Sequence, residues 1–451
     1  MLHNLRMAEK IVLLLGDIAH EGVTSALKTS GISYKWKFLN SSVENWKSII
    51  RIFQKHEVKM VLGKLTGEIY DHLNDLDYKR VGSQLLKEIA ARPHRLFAYE
   101  DLLANKESSE VDENGDDRFW RPKIKVMKSV NELFRVNGID VLPYRKRAEV
   151  TVSAQSFLKE TDEGLIFRLY VPSGRLWGDQ MGQLLSLFKD YLSKVAGLNV
   201  RLDQQSTSKG VIYAFHGENL GSGENDRQQL TKHFEDFTKL TDLCATDPSA
   251  AEEILKGTGA NAREITQIIS RYSKEFRRLQ LDLKHAREEK ILSIRHRLES
   301  ELVDVVQSTQ QGLIESTVNA LIPEVVGSRV SQAMLLPFSK PTASGQQNIT
   351  LNFKPQFIEH IEGVVAQEVN GIAQLTNNDK ALISLFERHG GSKATELTSA
   401  LQELNDDSAP EPGRVTAKQR IKQFLIASAD KIGDAAAGVL QTYVEKKLLG
   451  L

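Results

Sequence analysis

The sequence predicts an α/β plus α protein: a parallel-sheet α/β domain, a small ββαββ domain, a long coiled-coil-like helix, then a C-terminal helical region. Three observations predict it. Short apolar runs alternate with helix-period segments over residues 1–146. Strand-like runs then bracket one helix within 147–216. Beyond 226 the apolar residues recur at heptad steps and later at helical spacing.

In the first domain, 11–15 is a short apolar run closed by Gly16, and 22–30 reads as helix. In 34–39 the aromatics Tyr34, Trp36 and Phe38 share one face and Lys35 and Lys37 the other, which is strand alternation. Asn40, Ser41 and Ser42 offer caps for a helix through His56. Residues 58–62 form a third strand stopped by Gly63, helices follow over 67–91, and 95–99 is a fourth strand. The acidic run 107–117 reads as a solvated loop. A helix over 123–137 and a fifth strand at 139–142 complete the alternation.

From 147 to 216, strands at 149–154 and 165–171, a helix at 177–195 and strands at 199–203 and 211–215 give the ββαββ unit. Residues 226–330 hold the long helix. Ile265, Ile269, Tyr272, Phe276, Leu279, Leu283 and Ala286 form its stripe, which predicts packing on another helix or on a second copy in a homo-oligomer. Residues 331–404 are mixed and mainly helical, with a strand at 349–353, and 414–451 is a single amphipathic helix.

Composition excludes several classes. At roughly 150 residues per domain, 451 residues make two to four domains. Lys and Arg (59) balance Asp and Glu (59), which excludes a whole-chain electrostatic grip on nucleic acid. One cysteine, Cys244, excludes an internal disulfide and suits a cytoplasmic setting. No run approaches the roughly eighteen apolar residues of a membrane span.

In open α/β sheets ligands sit beyond the carboxyl ends of the strands. That rule selects Gly16, Asp17, His20, Glu21, Gly22, Gly63, Lys64, Thr66, Glu100, Asp101, Pro143, Tyr144 and Arg145, and of these Asp17, His20, Gly63, Lys64, Thr66, Glu100, Tyr144 and Arg145 are the ligand-binding candidates. The mixture suits a nucleotide: Lys64 and Arg145 for phosphates, Asp17 or Glu100 for hydroxyls. Gly63-Lys64-Leu65-Thr66 is not a P-loop, because Leu65 separates lysine from hydroxyl and Val58 stands where glycine is required. Closely spaced glycines of a dinucleotide fingerprint are absent after the first strand. No metal site is expected, since His285 and His296 lie three turns apart on one helix. The basic segment 271–297 reads as a solvated flank with i,i+4 ion pairs in preference to a nucleic-acid groove.

The order of the first domain resembles Rossmann-like modules, including those that sense cyclic nucleotides and the TIR-type modules that cleave NAD. The resemblance is topological and covers about a third of the chain. A TIR catalytic motif is not matched. Glu88 and Glu100 are the available carboxylates for a catalytic role, with Glu68 a further nominee in the helix after the third strand. The expectation is a cytosolic sensor or effector. Its first domain binds a nucleotide-like ligand and its helical part mediates oligomerisation or signal transmission. The rivals are a noncatalytic scaffold acting through coiled-coil contacts and a nucleotide hydrolase or NAD-cleaving enzyme.

Overall fold

Strand β1 (Lys10–Gly16) is buried along both faces: Ile11, Leu13 and Leu15 enter one core, Val12 and Leu14 another. This is the signature of a parallel strand with helices on both sides. The computed structural model describes residues 10–106, 121–217, 224–257, 261–301, 311–322, 364–365, 368–369, 371 and 376–449. The acidic run 107–117 and the strand expected at 349–353 lie outside them. The chain divides into two units. One is Met1–Gly164 with Gly221–Gly223 and Pro410–Leu451; the other is Leu165–Leu220 with Glu224–Ala409.

In the first unit, β1, β2 (Tyr34–Lys37), β3 (Glu57–Leu65), β4 (His94–Tyr99) and β5 (Val141–Tyr144) form a parallel sheet in the order β2-β1-β3-β4-β5. One face is covered by α1 (Val23–Thr29) and α7 (Arg147–Asp162) through Val23, Leu27, Val150, Ala154 and Phe157. The other is covered by α2 (Val43–Lys55), α3 (Gly67–Asn74), α4 (Leu76–Ala90), α5 (Glu100–Ala104) and α6 (Ile124–Val136). Ser42 caps α2 by accepting from Asn45 N–H, as the sequence predicts. Asp75 caps α4 and so splits the helical run that follows β3.

Several sequence expectations are corrected in this unit. β3 continues to Leu65 and β5 runs from Val141 to Tyr144, so Gly63, Lys64 and Tyr144 lie inside strands and not beyond them. Residues 149–154 are helical, within α7. The strand-like Val150-Thr151-Val152 is overridden because Val150, Ala154, Phe157 and Leu158 close one helical face against the sheet.

In the second unit the ββαββ expectation therefore reduces to a three-stranded antiparallel sheet, β6 (Leu165–Pro172), β7 (Val200–Ser206) and β8 (Gly210–Gly217), in the order β6-β8-β7. Helix α8 (Gly178–Lys194) buries Met181, Leu184, Leu185, Phe188 and Leu192. Helices α9 (Glu224–Thr246), α10 (Pro248–Lys256), α11 (Ala262–Glu301) and α12 (Gln311–Leu321) follow. Tyr272, Phe276, Leu279 and Leu283 of α11 share one core with Phe234, Phe237, Leu240 and Cys244 of α9 and with Ile314 and Val318 of α12. Helices of the same chain thus bury the heptad stripe, with Ile268 taking the place expected for Ile269. Burial pushes the Cys244 thiol up to about 11, so it stays protonated. The basic flank of α11 carries the expected i,i+4 pairs, among them Arg271–Glu275 at 2.9 Å and Arg297–Glu301 at 2.8 Å.

Helices α13 (Asn377–His389) and α14 (Ala394–Leu404) form the expected hairpin, started by a Thr376–Asp379 capping box. Ser399 of α14 accepts from the Tyr170 backbone N–H and donates to its carbonyl, fixing the helix to β6. The last segment belongs to the first unit and is not one helix. α15 (Glu411–Ala427) and α16 (Asp434–Leu449) pack on each other around Gly433, whose φ of 85° no ordinary side chain favours. Gln423 of α15 donates to the Val141 carbonyl at 2.9 Å and so covers the β5 edge.

Candidate functional site

The strand order places a reversal between β1 and β3. The chain leaves β1 for β2 on one side, then returns past β1 to build β3, β4 and β5 on the other. A crevice forms outside the carboxyl ends at such a reversal. Gly16 of β1 is paired in register with Lys64 of β3, so both strand ends meet there.

Gly16 shapes this end. Its φ is 70°, and a Cβ there would lie 2.3 Å from the Lys64 carbonyl oxygen. Its own carbonyl accepts from Trp36 Nε1 at 2.6 Å. A single 3-10 turn, Asp17–His20, follows, and Gly22 at φ 71° starts α1. Between them the chain folds Glu21 back over the sheet, where its carboxylate pairs with the Lys64 amine. Lys64 is only 3% exposed. Thr151 of α7 donates to the second Glu21 oxygen at 3.3 Å, and the Lys64 amine lies 5.3 Å from the Tyr144 ring centre. Burial, reinforced by the Glu21 carboxylate, pushes the Tyr144 hydroxyl far above its usual range, so it cannot serve as a base.

Thr66 begins α3, but its side chain does not cap the helix, and its buried hydroxyl oxygen has no hydrogen-bond partner. Asp17 and His20 lie at the rim, 3.4 Å apart and substantially exposed. The His20 ring stands edge-on to Trp36, with centroids 5.3 Å apart.

At the ends of β4 and β5 there is a second cluster. The Arg145 side chain lies 3.6 Å from Glu100. Glu100 accepts from Lys422 of α15, and Lys422 reaches Glu445 of α16 at 3.0 Å. Glu445 in turn pairs with Lys418 at 2.8 Å, Lys418 with Glu149, and Glu149 accepts from the Arg145 backbone N–H at 3.1 Å. Three carboxylates and three cations therefore close a ring, in which Lys418 is 1% exposed. Burial alone would lower the Lys422 pKa, but Glu100 and Glu445 outweigh it and raise it. Burial would likewise raise Glu445, but Lys422 and Lys418 bring it down to about 2.

The structure thus gathers Asp17, His20, Lys64, Thr66 and Tyr144 around the β1–β3 reversal and joins Glu100 and Arg145 in the ring. Gly63 faces Leu96 and Leu15, where a Cβ would lie 2.6 Å from Leu96 Cδ2; its role is packing. Glu88 pairs with Arg92 in the last turn of α4, the end that leads into the start of β4, and so lies at the opposite edge of the sheet. Glu149, Lys418, Lys422 and Glu445 were not among the sequence candidates. Lys418 and Lys422 at i,i+4 beside Ile421 and Leu425 were the available signal, since lysines inside an apolar pattern require buried partners. Among the described residues no group of three or more His, Cys, Asp or Glu side chains is placed to hold a metal, and no helix is long and apolar enough to cross a membrane.

No protein-family model matches this chain, and no characterised protein or solved structure is significantly similar to it.

Proposed function

We propose that the parallel-sheet unit is a Rossmann-like binding module for a nucleotide-like ligand, and that the protein is a cytoplasmic sensor or effector whose helical unit transmits the bound state or assembles the protein. The observation that carries this reading is the buried Glu21–Lys64 pair at the strand-order reversal. Desolvating two charges costs several kcal/mol per ion, by order of magnitude, and such charges cluster at functional sites more than in ordinary cores. Beyond the pair, the unpartnered Thr66 hydroxyl at the start of α3 and the exposed Arg147 in the first turn of α7 offer donors to an anion. Lys64 acts here through Glu21, by setting the field at the strand ends, and is not a free cation awaiting phosphate.

The enzymatic alternative draws no support from the geometry, since Glu100 is held by Lys422 and Glu88 lies at the other edge. Isothermal titration of the full chain with ATP, NAD and cyclic dinucleotides tests the proposal. Saturable binding of at least one, weakened by Thr66→Val, is expected. Absence of binding by all of them up to about 1 mM, the weak end of specific recognition, would sink it.

A further inference from the structure

We propose that Trp36 and Phe38, with His20 across the Trp36 edge, form a base-stacking wall of this site, so that its ligand carries a nucleobase. The inference rests on the binding-module reading above and adds the chemical class of the ligand.

Phe38 is 52% exposed, while the neighbouring Trp36 is partly buried against the core on the α1 and α7 face. Their ring centroids are 4.5 Å apart at 52°. Trp36 is pinned by its bond to the Gly16 carbonyl, and His20 meets its edge at 90°. The Phe38 backbone is fixed as well, because Ser41 Oγ and Asn45 Nδ2 both donate to its carbonyl, at 2.8 and 2.9 Å. A preformed aromatic surface loses little entropy when a planar ring stacks on it.

Register places this wall at the β1–β3 strand ends. Lys37 lies opposite Leu15, so Phe38 falls level with Gly16, whose own partner is Lys64. Lys64 lies on the same sheet face as Trp36, since it alternates with Met60 and Leu62 of that core. Two strand spacings of about 4.8 Å separate the Phe38 level of the edge strand from Lys64, or about 10 Å between backbones. That is about one nucleotide's length, so a base on the wall can extend past the Glu21–Lys64 pair toward Thr66 at the start of α3. Asp17, between them at the end of β1, supplies an acceptor for a base amino group or a ribose hydroxyl. Lys35 and Lys37 lie on the opposite face of the strand, so the aromatic face carries no charge of its own that a base would have to displace.

The experiment compares binding of AMP, GMP, CMP, UMP and NAD with binding of ribose 5-phosphate, in the full chain and in Phe38→Ala and Phe38→Tyr. The expected result is that at least one base-bearing ligand binds about tenfold more tightly than ribose 5-phosphate, as removal or addition of one stacking contact implies. Phe38→Ala abolishes that difference without changing the melting temperature, and Phe38→Tyr retains it. Ribose 5-phosphate binding as tightly as every nucleotide, or a Phe38→Ala variant that keeps the preference, overturns the stacking wall and leaves the binding module standing. Absence of binding by all six compounds overturns the stacking wall, and absence of binding by ATP and the cyclic dinucleotides as well overturns both.

Discussion

Lys64 and Glu21, 43 residues apart in sequence, form an ion pair sealed beneath α1 and α7, with the Tyr144 ring beside the amine. The pair converts a lysine expected in an open loop into a structural element of the sheet. Removing one member of a buried pair leaves an uncompensated charge, which costs about 3–5 kcal/mol. Lys64→Ala is therefore expected to lower stability by that order in urea titration. The double variant Glu21→Leu with Lys64→Met should recover most of the loss. Wild-type stability in Lys64→Ala would show that the pair is solvated in solution.

The ring formed by Glu100, Arg145, Lys422, Glu445, Lys418 and Glu149 predicts a pH response. Lys422 and Lys418 hold the Glu445 carboxyl down at about 2, against an ordinary 4.5. Because the folded value is depressed, its stabilisation is fully present above pH 4.5 and is lost as the pH falls from there toward 2. Lys422 is shifted up from 10.5, so its contribution persists below that value and is lost only at higher, strongly alkaline pH. Thermal melts between pH 2 and 5 should show the acid limb. Glu445→Gln should flatten it, while also lowering stability at neutral pH.

Gly16 should tolerate no side chain. Its positive φ and the 2.3 Å approach to the Lys64 carbonyl oxygen oppose even a methyl group. Gly16→Ala is expected to cost at least the roughly 1–3 kcal/mol of a strained backbone conformation. Gly31→Ala provides the contrast, because its φ is also positive but nothing lies within 4 Å of a Cβ there. Equal losses at the two positions in denaturant titration would contradict the close approach.

The α11 stripe is core within this chain. Leu279→Ala and Leu283→Ala should each cost about 2–5 kcal/mol, the range for truncating a buried leucine. Circular dichroism should show loss of helix cooperatively with the α9 partners. If either variant keeps full stability and changes only the sedimenting mass, the stripe is instead a contact between copies.

The sequence by itself determined the alternating strands and helices of the first 146 residues, the long α11 helix and the α13–α14 hairpin. Each of these follows from local periodicity and caps, such as Ser42 before α2 and the alternation of Tyr34, Trp36 and Phe38. The carboxyl-edge rule also singled out Asp17, Lys64, Glu100, Tyr144 and Arg145. What it left open was how they are partnered. Strand order is a long-range property, and only the tertiary structure set β1 beside β3 and brought Glu21 onto Lys64. Only tertiary packing made 149–154 helical against its local β preference, folded the last segment at Gly433, and carried Lys418, Lys422 and Glu445 to the ends of β4 and β5. A buried charge must find its counter-charge wherever the fold supplies one, and nothing in the local pattern around Lys422 names Glu100, 322 positions earlier.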